Sequence, residues 1–421
     1  METLKCKTVE GILTEKDFKK IVHNAALDDW EIRGCDVNLA GQGLSGFLGD
    51  HFRMVLHLQK GEFTRLLHLF AKFLPLVNKP KAQFISEYNF FKRENLLYTL
   101  FEEMNAADET TWCPKALIHT DSVIVMPDLS VAGYKSVPHH ECLDLKHVLV
   151  VVTSLAKFHA GFACYEADRD AHRERSNSFY EDYKHVLTES ADFDAPWTTT
   201  WLRAAAKLTY NFLCEFSQKV ENVEDLEEKL TRAYTKACKD LAPNKDSLNV
   251  IIHRDMWVNN ILFLHEHNEP KDAVILDYQC ARYAPPAFDV MIFLYLTTSK
   301  KFRGCHEKDV FNHYYSVFTQ HLDDTVKGKL KDYNYGRWDF FDWCERARMF
   351  AMTQAMAIFP FVLMSPSMAQ ATFDNPDTFN KLMDEDRSPP VLAHARESPH
   401  YRERQLEVSE EFLDRYILKH L

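Results

Sequence analysis

Four polar residues follow one another in an order that suits the transfer of a phosphoryl group. His253 and Asp255 are followed by Asn260, and Asp277 comes after two apolar runs. Phosphoryl transfer needs a carboxylate that orients an attacking hydroxyl and takes its proton, and it needs oxygen ligands for Mg²⁺ on the nucleotide phosphates. We therefore predict His253 and Asp255 as the catalytic pair, with Asp255 as the base and His253 as the brace of the loop. Asn260 and Asp277 would be the metal ligands.

The sequence around this pattern favours chemistry over a structural role. HxDxxxxN alone would occur by chance in about 5 of 100 chains of this length. The apolar runs Ile261 to Leu264 and Ala273 to Leu276, with a polar turn between them, predict a β-hairpin that returns Asp277 to the loop. The alternative is a buried histidine beside Asp and Asn residues that cap local turns.

A lysine within an apolar run is the candidate phosphate ligand. Lys72 lies between Leu69 and Leu74, where a charged group must find a partner or reach solvent. Glu87, early on the helix predicted next, could pair with Lys72 and leave it aimed at the phosphates. Glu94, two turns later, is the competing candidate.

Glycines before the first predicted strand suggest a flap over the phosphates. Gly41, Gly43 and Gly46 match GxGxxG, and Gly49 follows just before the strand. Because the motif neither follows a strand of a βαβ unit nor opens a helix, a Rossmann site does not fit. We predict that Gly43, Gly46 and Gly49 bind the nucleotide, and a flexible turn is the alternative for each glycine.

The elements that would position these residues divide the chain into two lobes. Residues 1 to 38 have the spacing of one amphipathic helix, with Thr14 as its cap. Two strands joined at Lys60-Gly61, a helix over 83 to 103 and a short strand at 123 to 126 follow. Later residues are predominantly helical apart from the hairpin. We predict an N-terminal nucleotide-binding lobe over 1–129 and a C-terminal lobe, with the catalytic loop and acceptor site, over 130–421.

Composition limits the other classes of function. The 421 residues carry a formal net charge of −12, which argues against nucleic acid as the main partner. The ten cysteines are scattered without CxxC pairs, which argues against a zinc site or a disulfide framework. No apolar run approaches the length of a membrane span, and the N-terminus lacks the apolar stretch of a secretory signal. We expect a cytoplasmic protein, and the sequence does not indicate its oligomeric state.

Taken together, these residues resemble the ecdysteroid kinase-like family, also called CHK kinase-like, which is related to choline kinases and aminoglycoside phosphotransferases. The likeness spans most of the chain. Its carriers are Phe70 to Pro75, Phe84 with Glu87 and Phe90-Phe91, Met126 to Leu129 with Gly133-Tyr134, Leu155 to Ala160, His253 to Phe263, and Asp277 to Gln279 with Asp289.

The resemblance implies an α+β, protein-kinase-like fold of two lobes: a β-rich N-terminal lobe with one key helix and a larger, mainly helical C-terminal lobe. It implies ATP in the cleft, Mg²⁺ on its phosphates and transfer of the γ-phosphate to a hydroxyl of a small molecule, with ecdysteroids as the named class. Lys72 would bind phosphates, Met126 and Asp128 would lie in the hinge against adenine, and Asp289 would be structural.

Three positions depart from the family pattern. Arg254 stands between the His and Asp of the catalytic loop, where Gly is usual, and it adds a cation beside the transferring phosphate. Pro127 replaces a Glu in the hinge and removes a backbone N–H donor. Gly49 stands where the flap usually has Ser. None of these changes deletes a catalytic group.

Alternative functions remain open at this point. A choline or ethanolamine kinase would use the same machinery, and an inactive kinase fold could serve as a binding protein. A protein kinase is a weaker option, because no APE-like segment follows Asp277. We interpret His159 and Trp257 as packing residues. The apolar segment from Ile358 to Met364 is interpreted as core that could also wall an acceptor pocket.

Overall fold

The computed structural model of the protein describes residues 12–41, 48–104, 112–172, 178–188 and 196–420. Within these ranges a β-sheet forms the N-terminal lobe and a mainly helical region forms the C-terminal lobe. The α+β, two-lobed, kinase-like architecture expected from the sequence is therefore confirmed. The exact boundary at residue 129 stays a prediction.

The N-terminal lobe is an antiparallel sheet with the strand order β1-β2-β3-β5-β4. Its strands are β1 (Glu31–Leu39), β2 (Asp50–Lys60), β3 (Phe63–Phe73), β4 (Ile118–His119) and β5 (Val123–Pro127). Alternate residues of β2, from Phe52 to Leu58, are buried, because one face of the sheet covers a core. Gly61 turns β2 into β3 with a φ of +60°, as the predicted turn requires.

The segment before the glycines contains a helix and a strand. Helix α1 (Glu15–Asn24) begins at Thr14, as predicted, because the Thr14 hydroxyl accepts the N–H of Asp17 and the Thr14 N–H donates to the Asp17 carboxylate at 2.8 Å. The predicted amphipathic helix is thus present, whereas strand β1, which pairs with β2, was not predicted from the sequence. A register shift between Ile32 and Gly34 breaks the apolar alternation of β1, which left no clear strand pattern in the sequence.

Two helices, α2 (Lys79–Glu87) and α3 (Phe90–Glu103), follow where one was predicted. Asn89 separates them with a left-handed φ of +56°, and a residue in that conformation interrupts a helix. Helix α3 packs into the large core of the C-terminal lobe through Phe91 and Leu97. Buried Arg93 donates to the carbonyl of Gln279 at 2.6 Å. Helix α3 therefore connects the two lobes.

The C-terminal lobe consists of long helices around this core, much as predicted. Its helices are α4 (Leu145–His172), α5 (Phe179–Leu187), α6 (Pro196–Phe216), α7 (Leu226–Asp240), α8 (Ala287–Thr297), α9 (Lys300–Gln320), α10 (Asp324–Asp332), α11 (Arg337–Val362), α12 (Pro366–Phe373), α13 (Phe379–Asp384), α14 (Ser388–Glu397) and α15 (Pro399–Phe412). Helix α8 is buried along its length and packs along α11. The predicted hairpin is formed by β7 (Ile261–Glu266) and β8 (Glu269–Ile275), while β6 (Val250–Ile252) pairs with β9 (Arg282–Ala284).

A buried polar contact joins α2 to the segment after α12. The Lys81 ammonium donates to the Asp374 carboxylate at 3.0 Å, and the Asn78 amide donates to the same oxygen at 3.1 Å. Beside this contact, Phe84 of α2 meets Phe379 of α13 edge to face, with ring centroids 5.6 Å apart. The lobes are thus linked through α2 as well as through α3.

One helix among the described residues has the length and composition to cross a membrane. It is Leu145–Ala171, and 61% of its most apolar 18-residue window is buried in the protein. The pair Arg337–Val362 and Pro366–Phe373 passes only as a single span bent by 97°. Core helices of soluble proteins pass the same test, so the support for a span is weak.

A buried ion pair secures α15 against the C-terminal core. Glu411 accepts hydrogen bonds from the Arg303 guanidinium at 2.7 Å and from the Tyr295 hydroxyl at 2.8 Å. Burial opposes ionisation of Glu411, but Arg303 and Tyr295 outweigh it and lower the pKa of the carboxyl below its usual value. The pair therefore keeps both charges in the interior.

We expect Glu411→Ala to lower the free energy of unfolding by about 3–5 kcal/mol, because the Arg303 guanidinium stays buried without its carboxylate. Equilibrium unfolding in urea measures this loss. The matched control is Glu181→Ala, which removes an exposed partner of Lys184 and should cost no more than about 1 kcal/mol. Equal losses in the two variants would contradict the role of the buried pair.

Candidate active site

The carboxylate of Asp289, in the first turn of α8, holds the loop that follows β6. It is fully buried and accepts the backbone N–H groups of His253 at 2.5 Å and Arg254 at 2.7 Å. The Nε2 atom of buried His159 lies 3.2 Å from the same carboxylate. These contacts fit the structural roles expected for Asp289 and His159, because both side chains fix the loop and neither reaches solvent.

His253 braces the loop and has no access to a substrate. Its Nδ1 accepts the N–H of Asp255 at 3.1 Å, so Nε2 carries the proton and donates to the carbonyl of Leu276 at 2.8 Å. Burial lowers the pKa of His253, which keeps the ring neutral. Since the side chain is 0% exposed, its prediction as a catalytic residue is corrected: His253 is a positioning residue that ties the loop to the residue before Asp277.

Asp255 and Asn260 lie together at the end of the loop, as the motif predicted. The Asn260 amide nitrogen donates to the Asp255 carbonyl at 2.8 Å and to its carboxylate at 3.1 Å. Burial and the nearby charge of Asp277 raise the pKa of Asp255 to about 7, against the opposing hydrogen bond from Asn260. The carboxyl is thereby poised to exchange a proton near neutral pH.

Lys72 joins the two lobes at the centre of the site. Its ammonium donates to Glu94 at 2.7 Å, to Asp277 at 2.7 Å and to the side-chain oxygen of Gln279 at 2.9 Å. Although burial opposes the charge, Asp277 and then Glu94 raise the pKa of Lys72 above its usual value. A permanent positive charge therefore lies beside the Asp277 carboxylate.

Glu87 is not the partner of Lys72, and that prediction is corrected to Glu94. Glu87 ends α2, where its carboxylate accepts the Gln83 amide at 2.7 Å. The break at Asn89 starts a new helix with a different orientation, and Glu94 on α3 meets Lys72 instead. The sequence spacing along a single helix did not reveal this break.

Gln279 is a member of the site that sequence reasoning did not select. It is 3% exposed, and its amide donates to the second oxygen of Asp277 at 3.0 Å while its oxygen accepts from Lys72. The available signal was its place two residues after Asp277. Because Asp277 has a left-handed φ of +67°, the chain turns sharply there and brings the Gln279 side chain back onto Lys72.

Of the glycines predicted to bind nucleotide, Gly43 and Gly46 lie outside the described residues. Gly49 has a φ of +135° and lies against Lys72, since a Cβ there would be 3.2 Å from the Lys72 Cγ. Glycine is therefore needed at this position by both conformation and space. Contact of these glycines with phosphate stays a prediction.

The predicted hinge begins at the end of β5, which lies between β3 and β4 in the sheet. Met126 is buried and pairs with Phe70 across β3 and β5. The Asp128 carboxylate accepts the N–H of Ser130 at 3.0 Å and the Arg53 guanidinium at 3.1 Å. Asp128 therefore holds the turn that leaves β5, and contact of this segment with adenine stays a prediction.

A cavity with an empty volume of about 1040 Å³, open solvent at its mouth included, adjoins the catalytic residues. Asp255, Asp277 and Gln279 line one part of it. Most of the remaining wall is apolar or aromatic and comes from several helices, namely Phe84, Tyr88, Phe90, Trp201, Leu202, Ile358, Phe361, Val362 and Met383. The segment from Ile358 thus walls the cavity, and Trp257, interpreted as a packing residue, also lines it.

Arg254 occupies a backbone conformation that favours glycine. Its φ is +69°, its side chain is largely buried, and its guanidinium lies over the Phe350 ring at 5.7 Å from the centroid. The usual Gly of the family pattern suits this left-handed position without strain. The guanidinium charge also opposes the rise in the pKa of Asp255. Arg254 therefore gives the loop a permanent positive charge, and its left-handed backbone conformation is strained.

Asn260 and Asp277 offer the donors that Mg²⁺ prefers. The Asn260 nitrogen is directed at Asp255, which leaves the amide oxygen as the atom for a cation. Carboxylate and amide oxygens suit a hard divalent ion. Among the described residues, no group of three His, Cys, Asp or Glu side chains could hold a metal ion.

One comparison with known proteins identifies a family for this chain. The sequence profile of the ecdysteroid kinase-like family matches residues 44–326, more than half of the chain. No curated protein sequence matches the chain significantly. The matched range includes Lys72, Glu94 and the loop from His253 through Asp277.

Several solved kinase structures are similar to the chain at low sequence identity. A choline kinase from Streptococcus pneumoniae is 11% identical, with a TM-score of 0.36 over 81% of this chain and 98% of that one. A microcompartment-associated aminopropanol kinase is 11% identical, with a TM-score of 0.31 over 86% and 97%. The GDP complex of wild-type aminoglycoside 2'-phosphotransferase-IIIa is 10% identical, with a TM-score of 0.39 over 95% and 98%.

The strain at Arg254 can be measured with two substitutions that both remove the guanidinium. We expect Arg254→Gly to be more stable than Arg254→Ala by about 1 kcal/mol, because only alanine keeps the left-handed penalty. Equilibrium urea unfolding of the two variants gives the difference directly. An alanine variant as stable as the glycine variant would show that the loop relaxes and that the position carries no strain.

Proposed function

This chain belongs to the ecdysteroid kinase-like family, and from that membership we propose that it is an ATP- and Mg²⁺-dependent kinase that phosphorylates a hydroxyl of a small, largely apolar alcohol. One observation carries the proposal. Lys72 is held between Glu94 and Asp277, and Asp255 lines the same cavity as Asp277. A phosphate-binding cation, a metal ligand and a base thus converge where an alcohol could enter.

In the proposed reaction the acceptor hydroxyl attacks the γ-phosphorus and the bond to the β-phosphate oxygen breaks, which releases ADP. Asp255 accepts the proton of the attacking hydroxyl. A base is most effective when its pKa lies near the working pH, and burial with the neighbouring Asp277 raises the pKa of Asp255 to about 7.

Lys72 would bind the phosphates by exchanging one of its present partners. Its three contacts are Glu94, Asp277 and Gln279, which match the three donors of an ammonium. Glu94 would keep Lys72 in position, while Asp277 and Asn260 would hold Mg²⁺. Mg²⁺, when bound, neutralises charge on the phosphates.

The cavity supports an acceptor with an extended apolar surface. Ecdysteroids, the class after which the family is named, are polycyclic alcohols that would suit the wall formed by Phe84, Ile358 and Phe361. The second candidate is a choline or ethanolamine kinase, which the aromatic rings of Tyr88 and Trp201 favour because such rings attract ammonium groups. The carboxylates among the described lining residues are Asp255 and Asp277. Both already have a role in the proposed phosphoryl transfer, so neither is left to bind an ammonium group.

We propose a cytoplasmic location for the protein. The nine cysteines that lie in the described ranges are all free thiols. Free thiols are typical of proteins kept in a reducing compartment.

The retained set of Lys72, Asp255, Asn260 and Asp277 argues against an inactive binding protein.

We expect Asp255→Asn to lower kcat by about 10²- to 10⁴-fold, because the general base is lost while its shape is kept. ADP release is measured with Mg²⁺ and ATP against ecdysteroids, other sterols, plant alcohols and choline. Asp332→Asn, an exposed residue of α10, is the control and should retain full activity. Unchanged turnover by the Asp255 variant would refute its role, and silence of the wild-type protein across the panel would refute the proposed function.

Glu94→Gln should reduce kcat/KM for ATP by about 10-fold or more, because Lys72 loses the carboxylate that fixes it. Glu87→Gln is the matched control, and it should stay within about twofold of wild type since Glu87 contacts Gln83 rather than Lys72. Initial rates at varied ATP concentration measure both. A larger loss in the Glu87 variant would reverse the assignment.

A further inference from the structure

Helix α11 presents one polar side chain to the apolar part of the cavity. Gln354, Ile358 and Phe361 are spaced at helical intervals and line the same wall. Apart from the phosphoryl-transfer residues, Arg254 and Gln354 itself, the described lining residues are aliphatic, aromatic or sulfur-containing side chains. Gln354 is therefore the carboxamide of an otherwise apolar wall.

Gln354 is a largely buried residue whose side-chain amide reaches the cavity. The residue is 8% exposed, and the described part of the chain provides no hydrogen bond to its side chain. Other buried polar side chains of α11 are satisfied, since Arg348 donates to Glu307 at 2.7 Å and Thr353 donates to a backbone carbonyl at 2.9 Å. The amide atoms of Gln354 are not among the described polar atoms that are fully shielded and unpaired, so the amide is open to the cavity, where it can bond a ligand.

We propose that Gln354 is a specificity-determining residue that hydrogen-bonds a second polar group of the acceptor, a hydroxyl or a carbonyl remote from the phosphorylated hydroxyl. The inference rests on the proposed function and adds a requirement to it. An apolar wall does not orient an alcohol that lacks a second polar group. The Gln354 amide, at one fixed point of the wall, selects both the orientation and the class of the acceptor. A site built to bond a polar group discriminates against analogues that lack it, because its own polar group then stays unpaired.

The test compares alcohols that share a skeleton and a single hydroxyl and differ only in a remote ketone. The probes are epiandrosterone with the same steroid lacking its ketone, and decanol with its analogue carrying a ketone near the far end. The readout is the ratio of kcat/KM for the keto alcohol to that for the plain alcohol. We expect the wild-type protein to favour the keto partner by roughly 10- to 100-fold in at least one pair.

Gln354→Met keeps the length and volume of the side chain but removes its hydrogen-bonding atoms, so the ratio should fall to about one. Ile358→Leu, one turn along the same wall, is the control and should alter both alcohols of a pair alike. Thermal unfolding checks that both variants fold, and Gln354→Leu serves as the second variant if Gln354→Met is unstable.

The outcomes separate this inference from the function on which it rests. Turnover of either pair with no preference in wild type, or with the same preference in Gln354→Met, would overturn the role of Gln354 and leave the kinase proposal standing. Turnover of choline but of neither pair would overturn the apolar acceptor and the role of Gln354 together. No turnover of any alcohol by wild type would overturn both proposals.

Discussion

The site depends on keeping one positive charge inside the protein. Lys72 is 3% exposed, and an ammonium removed from water is stable only when acceptors of opposite charge surround it. Two carboxylates and a carboxamide do so here, and they come from different parts of the chain: Glu94 from α3, and Asp277 and Gln279 from the turn after β8. The requirement to satisfy one cation therefore fixes how the sheet, α3 and the turn meet.

The C-terminal lobe fixes the opposite side of the site through backbone contacts. Asp289 accepts two successive N–H groups of the loop, and His253 joins that loop to the carbonyl before Asp277. Asp255, Asn260 and Asp277 are thus held in place by buried residues that face away from the cavity. Rigid support of this kind holds the Asp255 carboxyl in a buried position beside Asp277, where its pKa is raised.

The sequence was enough to identify residues that belong to a distinctive chemical motif. It was not enough where a contact or an element depends on a local break in the backbone. Asp255, Asn260 and Asp277 could be found because the loop and hairpin bring them together by short-range connections. The choice between Glu87 and Glu94 as the partner of Lys72 could not be made from the sequence, because it depends on a helix break at the left-handed residue Asn89. Strand β1 was missed for a similar reason, since its bulge removes the alternation that would have marked it. Gln354 carries no motif at all, because a buried amide is distinguished only by what surrounds it.

The contact between α2 and the segment after α12 has a mechanical consequence. Lys81 bonds to Asp374, and next to it Phe84 touches Phe379, so α2 is fastened to α13 and to the segment before it. Phe84 and Met383 also line the same cavity. Any rocking of one lobe against the other must therefore strain this fastening and change the shape of the cavity at the same time. The relative position of the two lobes and the shape of the cavity are therefore coupled through this contact.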